Sequence, residues 1–123
     1  MGKVIARGFL VVLGVLSLLN AALVWFALDR IGKTLGTPAP TPLAESTLRG
    51  DLGALFGTVG VLTIAAAIRD DRRLLIGPML LTGLAIAGRI ISYAFAPAPA
   101  ALPLIAVEAV ALAGIMIARR GLS

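Results

Sequence analysis

The residues that could do chemistry in this chain are a few polar side chains placed inside long apolar runs. Arg89 stands in the run LAIAGRIISYAF, and Glu108 stands in the next run along the chain. The sequence has no histidine and no cysteine, which excludes imidazole and thiolate metal sites, disulfides and the usual nucleophile–base pairs. We therefore expect no enzyme activity, no metal site and no cofactor, so the polar residues are candidates for binding or for helix packing.

The polar residues of the apolar runs lie at similar depth. Arg89 is eight residues before Pro97 and Glu108 is eight after Ala100. At 1.5 Å per residue, both lie about 12 Å from the connection between their helices. An unpaired charge near the centre of a membrane helix costs on the order of 3 kcal/mol, so we interpret these two residues as an ion pair. The alternatives are an Arg89 that extends to the lipid headgroups and a Glu108 that carries its proton.

Other polar residues belong to the same half of the membrane. Asn20 lies in the first apolar run, and Arg49 and Asp51 stand at the entrance to the second. An amide at this depth favours a polar partner in the bundle. The predicted intramembrane polar cluster consists of Asn20, Arg49, Asp51, Arg89, Ser92 and Glu108.

Four apolar runs must position these side chains. The hydrophobic set makes up 59% of the residues and the charged set 14%, which is too apolar for the surface of a soluble domain. The runs cover about residues 8–28, 50–68, 74–96 and 100–118, each close to the roughly 20 residues that a membrane-spanning helix needs, and the second helix is predicted to cover about residues 46–68. We predict one all-α domain over residues 1–123, a bundle of four transmembrane helices in up-down-up-down order, with a loop at 29–45.

The first run, which follows Lys3 and Arg7, also resembles a signal peptide. Its apolar stretch is longer than a usual signal core and no small-x-small cleavage site follows it, so we favour a retained helix. Outside the runs, seven cations flank one side of the membrane and three flank the other, which predicts that both termini are cytoplasmic. We expect a bacterial inner-membrane protein whose polar cluster is periplasmic, whose main partner is the lipid bilayer, and which does not bind nucleic acid.

Proline and its neighbours predict where helices begin. Thr41 followed by Pro42 is typical of an N-cap and a first helical residue, so the second membrane helix is expected to begin before its apolar run. Pro78 is expected in or near the first turn of the third membrane helix. The short connection APAPAALP makes the third and fourth membrane helices neighbours.

Glycines form one nearly bare face on the second membrane helix. Four of them fall within an arc of about 80° at 3.6 residues per turn, and the set includes a GxxxG pair that permits close helix approach. These glycines are Gly50, Gly53, Gly57 and Gly60. Gly88 is a further packing candidate on the third membrane helix. The approaching helix is one from the same chain, from a second copy of the chain, or from another membrane protein.

The segment LRGDLGALFGTVGVL, followed by AGRIISY and then by Glu108 in the last apolar run, resembles a known family. This is an uncharacterised bacterial family of small four-helix membrane proteins, a domain of unknown function that is loosely similar to the DoxX-like membrane proteins. The resemblance covers roughly residues 8–118 and includes Arg-Gly-Asp-x-Gly at 49–53, then Gly88, Arg89 and Ser92. It implies the four-helix fold and these polar positions, and it implies no established activity.

Two functions are compatible with these features. The first, which we favour from the sequence, is a structural or accessory subunit that packs through its glycine face against other membrane proteins, or against itself as a homo-oligomer. The second is binding or transport of a small molecule or ion, in which Arg89 receives an anionic group or Glu108 carries a proton. Small four-helix multidrug exporters use an acidic residue in their first span, and the first span of this chain has none.

Overall fold

The computed structural model describes residues 2–37 and 39–123, and every regular element within them is a helix. Four segments are long and apolar enough to cross a membrane, namely α1, α3, the segment Arg72–Phe95 and α5. The predicted all-α four-helix bundle is thus confirmed, and the chain has the architecture of a small multi-pass membrane protein. The elements are α1 (Gly2–Phe26), α2 (Leu28–Leu35), α3 (Pro42–Arg69), a short 3₁₀ helix (Arg72–Leu75), α4 (Ile76–Phe95) and α5 (Ala101–Arg120).

The short helix α2 begins at Leu28 and occupies the first part of the segment 29–45, for which the sequence predicts a loop. Leu28 and Gly32 are buried on one side of α2, whereas Asp29 and Lys33 are exposed on the other. Apolar residues at this three-to-four-residue spacing form an amphipathic helix. Gly36 ends α2 in the left-handed conformation at φ 70°, which glycine adopts without steric penalty. With only eight residues, α2 is too short to show as an apolar run of membrane-spanning length.

Local residue chemistry explains where the membrane helices begin. The Ala44 N–H donates a hydrogen bond to Thr41 Oγ1 at 3.1 Å, and Pro42 is the first residue of α3, which confirms the start predicted from this pair. Pro78 is the third residue of α4, where its missing N–H costs little. α1 begins at Gly2, earlier than the apolar run that starts near residue 8, and therefore includes Lys3 and Arg7.

The bundle is packed most tightly at one end. We call the end that holds residues 2–7, 69–73 and 119–123 the terminal end, and the opposite end the loop end. α1 and α3 have buried residues along most of their length, whereas the buried residues of α4 and α5 are Pro78, Ile115 and Ala118, all toward the terminal end. The α4–α5 hairpin therefore separates from the α1–α3 pair toward the loop end. The core cluster comprises Ala6, Leu10, Ala66, Ala67, Leu75, Ile115, Ala118 and Leu122.

Glycines allow α1 and α3 to pack backbone against backbone. A Cβ atom placed on Gly60 would lie 3.0 Å from the carbonyl oxygen of Gly14, and one placed on Gly14 would lie 3.0 Å from that of Gly60. Gly53 lies against the indole of Trp25, and Gly57 lies close to the same ring. Small residues of this kind permit the close van der Waals contact that holds membrane helices together. The glycine face of α3 is therefore occupied by α1 of the same chain.

Gly50 and Gly88 differ from the other predicted packing glycines. A Cβ atom placed on either would meet no neighbouring atom within 4 Å. Both residues are exposed. The packing role expected for Gly50 and Gly88 is thus not seen within the described chain, because no other helix approaches them.

Trp25 and Arg49 connect the loop-end parts of α1 and α3. The indole N–H of Trp25 donates to the carbonyl oxygen of Arg49 at 3.2 Å, and Arg49 Nε donates to the carbonyl oxygen of Trp25 at 3.0 Å. The Trp25 carbonyl is in the last turn of α1, where carbonyls lack helical partners. Arg49 Nη1 also donates to Glu45 Oε2 at 3.4 Å. The reciprocal bonds fix the register between the two helices.

Asp70 joins three parts of the chain at the terminal end. It follows α3 in the left-handed conformation, with φ 53°. Its carboxylate accepts hydrogen bonds from Lys3 Nζ at 2.7 Å, from the Ser123 hydroxyl at 2.9 Å and from the Ser123 N–H at 3.1 Å. The hydrogen bonds from Lys3 and Ser123 lower the pKa of Asp70 from 3.8 to about 2. This network links the start of α1, the turn after α3 and the residues after α5.

We expect Asp70→Asn to lower the Tm near neutral pH and to have less effect in acid. Asparagine tolerates the left-handed conformation, so the substitution removes the charge and keeps the backbone. Because the pKa is lower in the folded state, the carboxylate stabilises the fold above pH 3.8, and this contribution is lost as the pH falls to about 2. Thermal unfolding in detergent, followed by circular dichroism across this pH range, measures the effect.

The control for this experiment is Asp29→Asn. The Asp29 side chain forms no ion pair in residues 2–37 and 39–123. Its substitution should therefore change the Tm by nearly the same small amount at each pH. An Asp70→Asn effect that stays constant down to about pH 2 would contradict the assigned network.

Candidate functional site

Arg89 of α4 and Glu108 of α5 form an ion pair in the structure. Arg89 Nε lies 2.9 Å from Glu108 Oε1 and 3.1 Å from Oε2. Their side chains are 31% and 25% exposed in the isolated chain. The Nη atoms of Arg89 make no hydrogen bond within residues 2–37 and 39–123. The pair links the two helices in their loop-end halves, where neither helix has a fully buried residue.

The short turn between α4 and α5 sets the register of this pair. Residues 96–100 separate the helices, and the Ala101 N–H donates to the Ala98 carbonyl oxygen at 2.8 Å within the turn. Arg89 is six residues before Phe95 at the end of α4, and Glu108 is seven after Ala101 at the start of α5. In an antiparallel hairpin, residues at nearly equal distance from the turn lie side by side.

A cavity of about 230 Å³ lies between the four membrane-length helices and next to the ion pair. Its polar lining consists of Ser17 and Asn20 from α1, Thr82 from α4 and Glu108 from α5, whereas α3 contributes only apolar side chains. We call this space the four-helix cavity. It is smaller than the roughly 300–1,000 Å³ of pockets for drug-sized ligands, so its size suits a smaller molecule.

The polar groups of the four-helix cavity retain hydrogen-bonding capacity. Within the described chain, the side chains of Ser17, Asn20 and Thr82 make no hydrogen bond, and Glu108 bonds only to Arg89. Ser17 is buried and Asn20 is half-buried. Ser17, Asn20 and Thr82 therefore leave donors and acceptors available to a polar ligand atom in the cavity. Across residues 2–37 and 39–123, no group of three or more acidic side chains could hold a metal ion.

The structure brings together three of the six residues of the predicted polar cluster. Asn20 and Glu108 line the same cavity, and Arg89 bonds to Glu108 from outside its lining. The other three residues lie apart from the cavity. Arg49 binds Trp25 and Glu45 at the loop end. Asp51 and Ser92 are exposed and do not line the cavity. The six residues were grouped by their similar depth in the membrane, but residues at the same depth can point to different sides of their helices.

Ser17 and Thr82 are cavity residues that the sequence prediction missed. Ser17 is three residues before Asn20, and Thr82 is seven residues before Arg89. Residues at these spacings share a helix face, so the spacing could have identified both. Serine and threonine are common where membrane helices pack together. Their residue types alone therefore did not distinguish these two cavity residues from ordinary packing residues.

The resemblance to the DoxX-like proteins remains a prediction from the sequence motifs, and the function must follow from the geometry of the cavity and the ion pair. No protein-family model matches the chain, and searches of curated proteins and of solved structures found no match.

Proposed function

We propose that this small multi-pass membrane protein binds a small molecule in the four-helix cavity, with Glu108 as its main polar contact. The observation that supports this function is the lining of the cavity. All four membrane-length helices contribute to it, and polar groups from three of them converge on one space. A mostly apolar pocket with a few convergent polar groups is the usual form of a small-molecule site.

The lining favours a ligand with an apolar body and one amine or hydroxyl group. Among the described residues that line the cavity, Glu108 is the only charged one, and its carboxylate accepts hydrogen bonds. Arg89 approaches Glu108 from outside the lining, and its role in this proposal is to hold the carboxylate in place. An ammonium group in the cavity is attracted to Glu108, whereas a ligand carboxylate is repelled.

Binding is better supported than passage across the membrane. Beyond the cavity, the core cluster consists of aliphatic and alanine side chains, beside which the Thr63 hydroxyl is buried, so the terminal half of the bundle offers few groups that could carry a polar solute onward. We therefore place transport second to binding. Flux measurements in proteoliposomes with Glu108→Gln and Arg89→Ala test transport, and flux that is identical to that of the wild type would exclude it.

The charge distribution supports the orientation that we propose. The terminal end carries seven cations and two acids, a net charge of +5, and the rest of the chain carries four cations and four acids. By the positive-inside rule, this asymmetry favours a terminal end in the cytoplasm and a cavity in the periplasmic half of a bacterial inner membrane. A cysteine-accessibility assay in intact cells, with single cysteines at Ser92 and Ser123, tests this orientation.

The test of binding uses three probes with the same six-carbon body: hexylamine, hexanol and hexanoate. Hexylamine at about ten times its Kd should raise the Tm of the detergent-solubilised protein by about 5 °C. Hexanol should raise it less, and hexanoate should not raise it, because it brings a second negative charge to Glu108. Equal shifts with hexylamine and hexanoate would contradict the proposed role of Glu108.

A matched pair of substitutions on α5 locates the binding. Ala111 lines the cavity, and Ala113 is exposed outside it. Ala111→Leu adds three carbons in the cavity and should abolish the hexylamine shift, whereas Ala113→Leu should preserve it. If Ala111→Leu keeps the full shift, the probe binds elsewhere and the proposal fails.

A second candidate function is that of an accessory subunit of a larger membrane assembly. An exposed surface on α4 favours this role. α1 already occupies the glycine face of α3, but Gly88 of α4 has open space in front of it, and the nearby Leu84 and Ile91 are exposed. A membrane helix could approach this surface closely. Native gels of gently solubilised membranes should show a larger assembly that Gly88→Leu disrupts and Gly8→Leu does not. A free monomer alone would exclude this role.

A further inference from the structure

An apolar groove lies between α1 and α5 at the terminal end, and its lining shares no residue with the four-helix cavity. It measures about 530 Å³, and its lining includes Gly2, Ile5 and Phe9 from α1 and Gly114, Ile117 and Arg120 from α5. Ile5 is 67% exposed and Ile117 is 70% exposed, so the groove opens on the outer, membrane-facing surface of the bundle.

Glycines and one aromatic ring shape this groove. The ring of Phe9 lies against Gly114, which closes the groove on the side of the membrane interior. At the other end, a Cβ atom placed on Gly2 would meet no atom within 4 Å, so the groove is open there. From Gly114 to Arg120 the groove follows six residues of α5, or about 9 Å. This length accommodates the part of an acyl chain that lies next to its headgroup.

The charges at the terminal end are only partly neutralised within the chain. Asp70 pairs with Lys3, and Asp71 pairs with Arg73. In residues 2–37 and 39–123, five arginines at this end have no carboxylate within 4 Å, and one of them, Arg120, lines the groove. These arginines are Arg7, Arg69, Arg72, Arg119 and Arg120.

We propose that the groove binds an anionic phospholipid, with one acyl chain along Ile5 and Ile117 and the phosphate at Arg120. The apolar lining and the cation at its mouth match the two parts of such a lipid. Each exposed cation at a membrane surface favours anionic lipid by about fivefold in affinity. A zwitterionic lipid brings a positive choline group to an end that already carries an excess of cations, so it binds more weakly. This site is independent of the ligand proposed for the four-helix cavity.

Native mass spectrometry of the protein with equal amounts of phosphatidylglycerol and phosphatidylcholine, matched in chain length, tests the headgroup contact. The wild type should retain more phosphatidylglycerol. Arg120→Gln should weaken this retention about fivefold, whereas Arg72→Gln, with the same loss of charge at the same end but outside the groove, should change it less than twofold. Equal losses in the two variants would show diffuse attraction to the basic end and would overturn the site.

A second pair of substitutions tests the acyl-chain contact. Gly2→Leu adds a side chain at a residue that lines the groove, without a steric clash, and Gly8→Leu places the same side chain in open space on α1, outside the groove. Gly2→Leu should lower the retention of phosphatidylglycerol severalfold, and Gly8→Leu should preserve it. Glycerol phosphate, which has the headgroup without acyl chains, should fail to compete. Equal retention in the two variants, or effective competition by glycerol phosphate, would overturn the proposal. Circular dichroism verifies the fold of each variant.

Discussion

Gly60→Leu should destabilise the bundle by about 3 kcal/mol or more, because it forces α1 away from α3. A Cβ atom at this position would lie 2.6 Å from Leu18 Cγ and 3.0 Å from the carbonyl oxygen of Gly14. The Leu18 side chain could move, but the carbonyl oxygen moves only if the helices separate. The loss should be measured by chemical unfolding in lipid–detergent bicelles.

Two controls separate this steric effect from glycine's intrinsic helix propensity. Gly8→Leu adds the same side chain where no atom lies within 4 Å, and it should be neutral or stabilising by up to about 1 kcal/mol. Gly57→Ala and Gly60→Ala make the same change one helical turn apart. A Cβ atom on Gly57 would be 3.9 Å from Trp25, an ordinary contact, so Gly57→Ala should be tolerated and Gly60→Ala should not. Equal stability of the two alanine variants would contradict close backbone packing at Gly60.

The membrane helices could be predicted from sequence because length and apolar composition determine them. The hairpin of α4 and α5 followed from its short turn, and the start of α3 followed from Thr41 and Pro42. α2 was missed because it is amphipathic and shorter than a membrane span. The direction in which each membrane helix faces was harder to predict, because these helices are apolar all round and their periodicity does not mark the buried side.

The candidate site shows the same limit. The depths of Arg89 and Glu108 could be counted from the hairpin, so the sequence nominated the two residues that the structure brings together. The glycine spacing on α3 identified a face suited to close packing, but not that α1 would occupy it. The four-helix cavity depends on the separation of the α4–α5 hairpin from the α1–α3 pair. Such a separation arises from the packing of whole helices, which no local sequence pattern encodes.

Reversal of the Arg89–Glu108 pair should distinguish a true partnership from two independent polar residues. Arg89→Glu places two carboxylates together and Glu108→Arg places two guanidinium groups together, so each single variant should lose about 3 kcal/mol of unfolding free energy. The double variant restores opposite charges at the same depth and should recover about 2 kcal/mol of the summed loss. Chemical unfolding of all four proteins in bicelles gives the coupling energy.

The Glu45–Arg49 pair provides the comparison for this cycle. It is a pair four residues apart on α3, with both side chains 41% exposed, and Arg49 has an additional acceptor in the Trp25 carbonyl. Its coupling energy should be only about 0.3–0.5 kcal/mol, as for exposed pairs on one helix. The Arg89–Glu108 pair joins two helices in a region where they bury little else, so its coupling should be several times larger. If the double reversal is no more stable than the single variants predict by simple addition, the 2.9 Å contact does not hold α4 and α5 together, and Glu108 is not positioned by Arg89.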